Sequence, residues 1–478
     1  MKKITQIKLG PAKCALDLGD GSERGLYVNQ DYILRKLGRP HRAINLMYCY
    51  YPLDELWPQR VSEACKDKDI SFAWDFPYDD YFPYMGGLEG DRNGEPFTYM
   101  KDIRKHGQDV VLTLTCDPNI SDEQMIAIAK DLRTYGRLML RINHEATGDW
   151  FSFTKRTTYQ GVADFFVRFC NIIKEYAPNV KTILCIGAVE SDGKIGMEKE
   201  FTEAIKTADV WSFDQYLSLN WGWPYEVALK SNSQHKRAAS KDIYDISKMS
   251  YDRFNLVSGG QNKPLLISEF NADGDVTGPY EQAKDVMEFC ELIKNDKEHK
   301  WLSGFTFYQF RDDGRLGLEI TDPNNNQVGI EQPLMSTYKK ILHDDFFKPS
   351  LTEEKEKTLP AVLRWGGSED SEGISVDITI EKDPVFAEAY FEGKLVDANL
   401  MMEINGMWFY KAPGVKFVDF MPAFFEKKIE APVTMKLNIF APPATGENDP
   451  SQGEDWQINY YYTLEELPDI RIEYEPVM

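Results

Sequence analysis

Eight short apolar runs alternate with helix-like segments over roughly the first 300 residues, the pattern of a parallel α/β fold. Near residue 346 the texture changes to short, alternating segments separated by turn signals. Together the two observations predict a (β/α)8 barrel followed by an antiparallel β-sandwich. A chain of 478 residues is too long for one typical domain and suits that pair. The expected division is a barrel with an N-terminal extension over 1–345, a linker over 346–360 and a sandwich over 361–478. No GxGxxG follows an early strand, which weighs against an open dinucleotide-binding sheet.

Taken in order, residues 1–40 carry weak signals: Leu26 to Val28 reads as a strand and Asp31 to Leu37 as a helix. Arg42 to Tyr48 reads as the first barrel strand, followed by a helix from Asp54 to Lys66. Ile70 to Phe76 is the second strand, and a loop rich in Tyr, Asp and Gly then leads through a short helix to the third, Asp109 to Thr115. The helix expected over Asp117 to Tyr135 sets Met125, Ile126, Ile128, Ala129 and Leu132 on one face. Leu138 to Ile142 is the fourth strand, Thr182 to Ala188 the fifth and Val210 to Tyr216 the sixth, with helices over 159–176 and 197–207 between them. The sixth strand has a long return through the aromatic loop Leu219 to Tyr225. Pro264 to Phe270 and Phe305 to Phe310 are the seventh and eighth strands, with helices over 280–295 and 333–342. In the C-terminal part, Ile374 to Ile380, Phe386 to Phe391 and Val433 to Ile439 alternate as strands, with Asn405-Gly406 and Pro413-Gly414 as turns.

Composition bounds the partners. A hydrophobic share of 42% is ample for a core, and a net charge of −22 opposes nucleic-acid or anionic-membrane binding, which needs clustered Lys and Arg. No window approaches the roughly 18 apolar residues that span a bilayer. The basic start Met1-Lys2-Lys3 has no apolar core behind it, so a signal peptide is not expected. Seven cysteines without CxxC spacing, mostly within apolar runs, read as buried thiols of a reducing compartment, and a cytoplasmic location is expected. No metal-ligand spacing, P-loop or GxSxG is present, so no cofactor is expected.

Two strand ends carry the chemistry. Leu138 to Ile142 stops abruptly in Asn143-His144-Glu145, with Trp150 five residues beyond the glutamate. The seventh strand repeats the arrangement in Ser268-Glu269-Phe270-Asn271. Active sites of barrels lie at the C-terminal ends of the strands. Glutamates on strands 4 and 7 therefore face each other across the mouth, as a retaining glycosidase requires of carboxyl groups roughly 5–5.5 Å apart. A single glutamate at a strand end is as readily a cap or an ion-pair partner. Two at these ordinal positions are hard to reach by coincidence.

The stretch from Arg141 through His144-Glu145 to Gly148 and Trp150-Phe151 closely resembles the acid/base motif of glycoside hydrolase family 26. These mannanase-type enzymes belong to a large clan of retaining (β/α)8 glycosidases. Phe213 to Tyr216 and Leu266 to Phe270 resemble the clan's sixth-strand and nucleophile-strand segments. The resemblance covers about residues 40–345. It implies Glu145 as general acid/base and Glu269 as nucleophile, His144 holding the substrate or the nucleophile, Trp150 as a sugar platform, and Tyr216 orienting Glu269 with help from Arg141. It further implies an oligo- or polysaccharide substrate, β-mannan first, with β-glucan or xylan as alternatives. The chain departs from the family where a strand-8 Trp and a His after strand 3 are usual, reading Phe307-Tyr308-Gln309-Phe310 and Thr115-Cys116-Asp117-Pro118.

Other residues carry open readings. Asp75, Glu190 and Asp214 either touch sugar or brace loops. Trp74 and Trp223, and less so Trp221, are either stacking platforms or ordinary loop packing. In the sandwich, Trp365, Trp408, Phe409 and Tyr410 form either a glycan face or, as the preferred reading, core or interdomain packing. A catalytically silent glycan-binding protein is the alternative from another functional class.

Overall fold

The computed structural model describes residues 3–20, 27–54, 82–135, 137–220, 235–312, 315–364, 371–441 and 461–475. Strand β1 (Ile4–Gly10) precedes the barrel. Strands β2 (Ala15–Gly19), β3 (Ala43–Tyr50), β4 (Asp109–Cys116), β5 (Leu138–Ile142), β6 (Val180–Cys185), β7 (Val210–Asn220), β9 (Leu265–Ala272) and β10 (Gly304–Phe307) are parallel, and β6–β7 and β10–β2 pairings close them into an eight-stranded ring. The short strand β8 (His235–Arg237) adds antiparallel to the end of β7.

Helices α1 (Gln30–Leu37), α2 (Phe97–Lys105), α3 (Asp122–Arg133), α4 (Phe153–Arg156), α5 (Tyr159–Tyr176), α6 (Glu198–Thr207), α7 (Ser240–Ser258), α8 (Gly274–Thr277), α9 (Pro279–Asn295) and α10 (Leu334–Leu342) lie along the connections between strands or follow the last one. Their starts follow capping chemistry. Ser121 and Gln124 form a reciprocal capping box on α3, and the Thr158 hydroxyl accepts from Gly161 N–H on α5. Helix α5 buries Val162, Phe165, Phe166, Phe169 and Ile173, spaced at three and four residues, in the main core.

Inside the barrel the lowest layer is apolar: Ala43, Val111, Ile183, Val210 and Leu266, with Met139 against them. The next inward-facing layer is polar, and it carries the site described below. The change of character along one strand is the sequence alternation itself, since residues two apart share a face.

After the barrel, β11 (Arg311–Asp312), β12 (Glu319–Asp322) and β13 (Asn325–Glu331) make a small sheet. Strands β14 (Ser350–Lys357), β15 (Ala361–Arg364), β16 (Glu372–Ile380), β17 (Phe386–Tyr390), β18 (Leu400–Ile404), β19 (Met407–Lys411), β20 (Phe417–Asp419), β21 (Val433–Phe440), β22 (Tyr461–Leu464) and β23 (Asp469–Glu473) form two antiparallel sheets. One runs β14-β1-β16-β21-β18-β19 with β15 and β22 attached, and the other runs β20-β17-β23. Val376, Met402 and Ile439 of the first and Ala387 and Ala389 of the second share one apolar cluster, so the two sheets are layered over a common core.

Several expectations change. The first barrel strand is Ala15–Gly19, not Arg42 to Tyr48, which is the second. Ile70 to Phe76 lies outside the described residues, and β3 pairs directly with β4 from Ala43↔Asp109 to Tyr50↔Cys116, leaving no place between them for another barrel strand. Ala15 to Gly19 escapes an apolar-run search because Asp17 interrupts it; Asp17 is fully buried and neutralised by Arg42. Leu26 to Val28 is not a strand over its described residues 27 and 28. The supposed linker contains β14, whose side chains are nearly all exposed and charged, so no apolar period betrays it; its backbone pairs with β1 from Ile4↔Lys357 to Gly10↔Ser350. Residues 4–10 therefore belong to the C-terminal sheet, between β14 and β16. Among the described residues no helix is long and apolar enough to cross a membrane.

Candidate active site

Because the strand exchange precedes β4, β5 remains the fourth barrel strand and β9 the seventh. Glu145 follows the end of β5, and Glu269 lies in the C-terminal half of β9. A register shift between Phe213 and Asp214 sets Asp214 opposite Glu269 on the neighbouring strand β7.

Glu269 is held at both oxygens. Arg141 Nη2 donates to Oε1 at 2.9 Å, and the Tyr216 hydroxyl donates to Oε2 at 2.8 Å. Its side chain keeps 10% of its surface open, enough for a ligand atom to reach it. Arg141 itself is wholly buried, and every one of its nitrogens is engaged. Nη1 donates to Asp214 Oδ1 and Oδ2 at 3.1 and 3.4 Å, Nε donates to Thr113 Oγ1 at 2.7 Å, and Nη2 also lies 4.0 Å from Met47 Sδ. Two carboxylates thus share one planar cation, whose fork geometry suits the task.

The electrostatics follow from this packing. Burial opposes the Arg141 charge, but Asp214 and Glu269 outweigh it and the guanidinium is held more firmly charged than usual. Burial pushes the Asp214 carboxyl well up, reinforced by the Glu269 charge and countered by Arg141. The Tyr216 phenol is driven well above its ordinary range, first by burial and then by Glu269, so it remains a donor. The Cys185 thiol donates to Asp214 Oδ1 at 3.5 Å and is likewise kept protonated, mainly by burial.

Glu145 sits in a turn closed by Gly148 N–H to Glu145 O at 2.8 Å, with φ +51° at Glu145 and +48° at Asn143. Left-handed backbone at non-glycine residues costs on the order of 1 kcal/mol each and gathers where function constrains geometry. The turn is tied down on several sides. The Asn143 side chain bridges both backbone groups of Cys116, Ala146 N–H reaches Cys185 O, and Thr147 Oγ1 accepts from Gly187 N–H. Trp150 Nε1 donates to Glu145 Oε2 at 2.8 Å and so fixes the carboxyl group at that oxygen. Trp150 is 40% exposed, so its ring also faces the solvent at the mouth.

His144 is only 2% exposed, set edge-on to Phe151 at 4.5 Å; burial and the Arg141 charge keep its imidazole neutral. That placement puts it beneath the loop rather than on an open cleft. Where the family has a strand-8 Trp, Tyr308 packs edge-on against Tyr216 at 6.0 Å. Where a His is usual after strand 3, Asp117 accepts from Arg156 of α4 at 2.7 Å. Arg156 also pairs with Asp54 and lies 4.3 Å over the Tyr51 ring, joining the loops after β3, β4 and β5.

Glu190 is exposed in a turn closed by its N–H to Lys194 O, whereas Asp214 braces Arg141. Arg311 is engaged by the buried Glu319. Trp74, Asp75, Trp221, Trp223 and Trp365 lie outside the described residues. Trp408 and Tyr410 are buried with Ile7, Leu9 and Leu34 between barrel and C-terminal sheet, and Phe409 packs on the sandwich core. His41 and His106, which their polar surroundings in sequence mark as surface residues, are buried. No metal-holding cluster occurs among the described residues. Sequence reading passed over Thr113 and Asn45, whose only signal is a polar residue at an inward position of a buried strand.

No family model matches the chain, and no curated protein sequence does. Among solved structures it is similar to a GH26 β-mannanase from Bacteroides ovatus, at 9% identity, over 70% of this chain and 89% of that one, with a TM-score of 0.42. It is also similar to the catalytic domain of a GH26 endo-β-1,4-mannanase from Bacillus sp. JAMB-750, at 12% identity, over 70% and 87%, with a TM-score of 0.44. A double mutant of an endo-β-1,4-mannanase from Cellulomonas fimi is similar at 10% identity, over 90% and 89%, also with a TM-score of 0.44. At such identities and scores the chemistry has to be read from the side chains of this chain.

Proposed function

We propose that this protein is a retaining glycoside hydrolase that cleaves β-linked glycans by double displacement. The observation that carries the reading is Glu269, held at one oxygen by Arg141 and at the other by Tyr216, on the seventh strand of a barrel whose fourth strand ends in Glu145. In the first step Glu145 gives its proton to the glycosidic oxygen while Glu269 attacks the anomeric carbon and displaces the leaving sugar. In the second, Glu145 takes a proton from water, which attacks the same carbon and frees Glu269. Arg141 and Tyr216 aim Glu269 before attack, and both are fixed in advance, so little reorganisation accompanies the step. Trp150 orients Glu145 and presents its ring to a sugar.

β-Mannan or manno-oligosaccharides are the first substrate, supported by the likeness of the strand-4 segment to mannanase-type enzymes. β-Glucan and xylan oligomers are the alternatives, because the stretches Phe307 to Phe310 and Thr115 to Pro118 depart from that family's pattern. Cys14, Cys116, Cys170, Cys185 and Cys290 are buried thiols outside any disulfide, which supports a reducing, cytoplasmic setting and imported oligosaccharides.

Hydrolysis of mannan, glucan and xylan oligomers by the parent, followed by product analysis, tests the reading. Glu269→Ala should lower turnover by at least about 10³-fold. Azide should restore reaction in that variant and yield a glycosyl azide of inverted configuration. A fluoro-sugar inactivator should label Glu269. Labelling of another carboxylate, or full activity in Glu269→Ala, overturns the assignment; binding without turnover by the parent indicates a silent glycan-binding protein.

A further inference from the structure

Three adjacent strands place three polar side chains in one line toward Glu269. Asn45 on β3, Thr113 on β4 and Arg141 on β5 all face the barrel interior, and Thr113 and Arg141 are direct cross-strand partners. Arg141 Nε lies 2.7 Å from Thr113 Oγ1, and Thr113 Oγ1 lies 2.9 Å from Asn45 Oδ1. The sense of this chain is fixed by the groups themselves. A guanidinium can only donate, so the hydroxyl oxygen must accept from it, and the single hydroxyl hydrogen then goes to the amide oxygen of Asn45. Thr113 is fully buried and Asn45 is 2% exposed, so neither reaches a substrate.

We propose that Thr113 and Asn45 are positioning residues for the nucleophile, acting through the guanidinium of Arg141. This rests on the glycosidase reading of the same site. Arg141 has five N–H groups and five acceptor contacts: two at Asp214, one each at Glu269, Thr113 and Met47. The Nη groups face the two carboxylates, and Nε turns to Thr113 on the neighbouring strand β4. The Thr113 hydroxyl therefore sets the rotation of the guanidinium plane about its stem. A turn of that plane would move Nη2 off Glu269 Oε1 while leaving the carboxylates in place. Asn45 completes the anchor, because a hydroxyl whose hydrogen is committed elsewhere presents its lone pairs steadily to Arg141.

Thr113→Val keeps the shape and removes the acceptor. Turnover should fall by between about 10- and 100-fold with KM little changed, the scale expected for a misplaced catalytic group. Thr113→Ser should recover most of the turnover, and Asn45→Val, which leaves the Arg141–Thr113 bond in place, should show a smaller loss of the same kind. If Thr113→Val is recovered unfolded, Thr113→Ser and Asn45→Val carry the comparison. The NMR signal of the Arg141 Nε–H reads the tether without turnover: it should be protected from exchange in the parent and exchange faster in Thr113→Val and in Asn45→Val. Parental turnover in Thr113→Val, or equal losses in the serine and valine variants, overturns the proposal. A parent that hydrolyses no β-glycan, with the Nε–H still responding to Thr113, overturns the glycosidase reading and leaves the tether standing.

Discussion

Arg141 holds more of the site together than either glutamate. It is fully buried, yet it lies between Asp214 and Glu269, which without it would face each other across adjacent strands. Two neighbouring carboxylates in a low-dielectric interior repel each other unless a cation stands between them. Replacing Arg141 by Lys keeps the charge but supplies a point donor that cannot serve both acceptors and Thr113 together. Turnover in Arg141→Lys should drop by about 10²-fold, and in Arg141→Met by more, because the buried carboxylates then lack any counter-charge. Thermal melts should show a loss of about 3–5 kcal/mol in Arg141→Met, the cost of breaking a buried pair from one side. Kinetics near parent in Arg141→Lys would argue that one carboxylate contact suffices. Glu145 and Glu269 were legible because each ends an apolar run. Thr113 and Asn45 were not, because one polar residue within a buried strand looks the same whether it anchors a cation or merely satisfies itself.

At the level of elements, the turn after β5 converts a strand end into an acid/base. Gly148 has no room for a side chain: a Cβ there would overlap the Trp150 ring. Gly148→Ala should therefore push the indole aside and break its bond to Glu145 Oε2 while leaving Glu269, Arg141 and Tyr216 untouched. The expected signature is a loss of turnover with leaving groups that need protonation, and a much smaller loss with activated aryl glycosides whose departure needs none. Equal losses on both substrate types would place the damage elsewhere. The same element shows what pattern reading can and cannot supply. The motif located the turn, while the role of Trp150 as a donor to Glu145 required coordinates. Strand β2 was missed because Asp17 splits its short apolar run, and β14 because its exposed charges resemble a linker; both are held by pairings to distant residues that no local period reveals.

For the whole molecule, β1 ties chain start to chain end, so the barrel and the C-terminal sheets are joined by more than the segment that connects them. Ile7 and Leu9 of β1 pack with Leu34, Met401, Trp408 and Phe440. Beside this seam His343, just after α10, donates from Nε2 to Leu37 O at 2.9 Å and accepts at Nδ1 from Trp408 N–H at 3.1 Å, a pairing only the neutral imidazole can make. Burial, aided by Arg39, Lys348 and Lys339, lowers its pKa from 6.5 to about 4, against the pull of the Leu37 carbonyl. The sign follows directly. Between pH 6.5 and 4 the unfolded chain binds a proton at this residue and the folded one does not, so folding is weakened as pH falls through that window and this part of the stability is complete above it. The effect is at most about 3 kcal/mol. His41 and His144 are lowered by burial and act in the same direction, whereas the His106 pKa is raised by Asp102 despite burial, and it acts in the opposite one. His343→Gln can keep both hydrogen bonds without titrating, so the difference between parent and variant isolates this residue. The melting temperature of the parent should fall more steeply than that of His343→Gln as pH is lowered from 7 to 4.5, with the two alike near pH 7.5; parallel curves would show that the seam is insensitive to this proton.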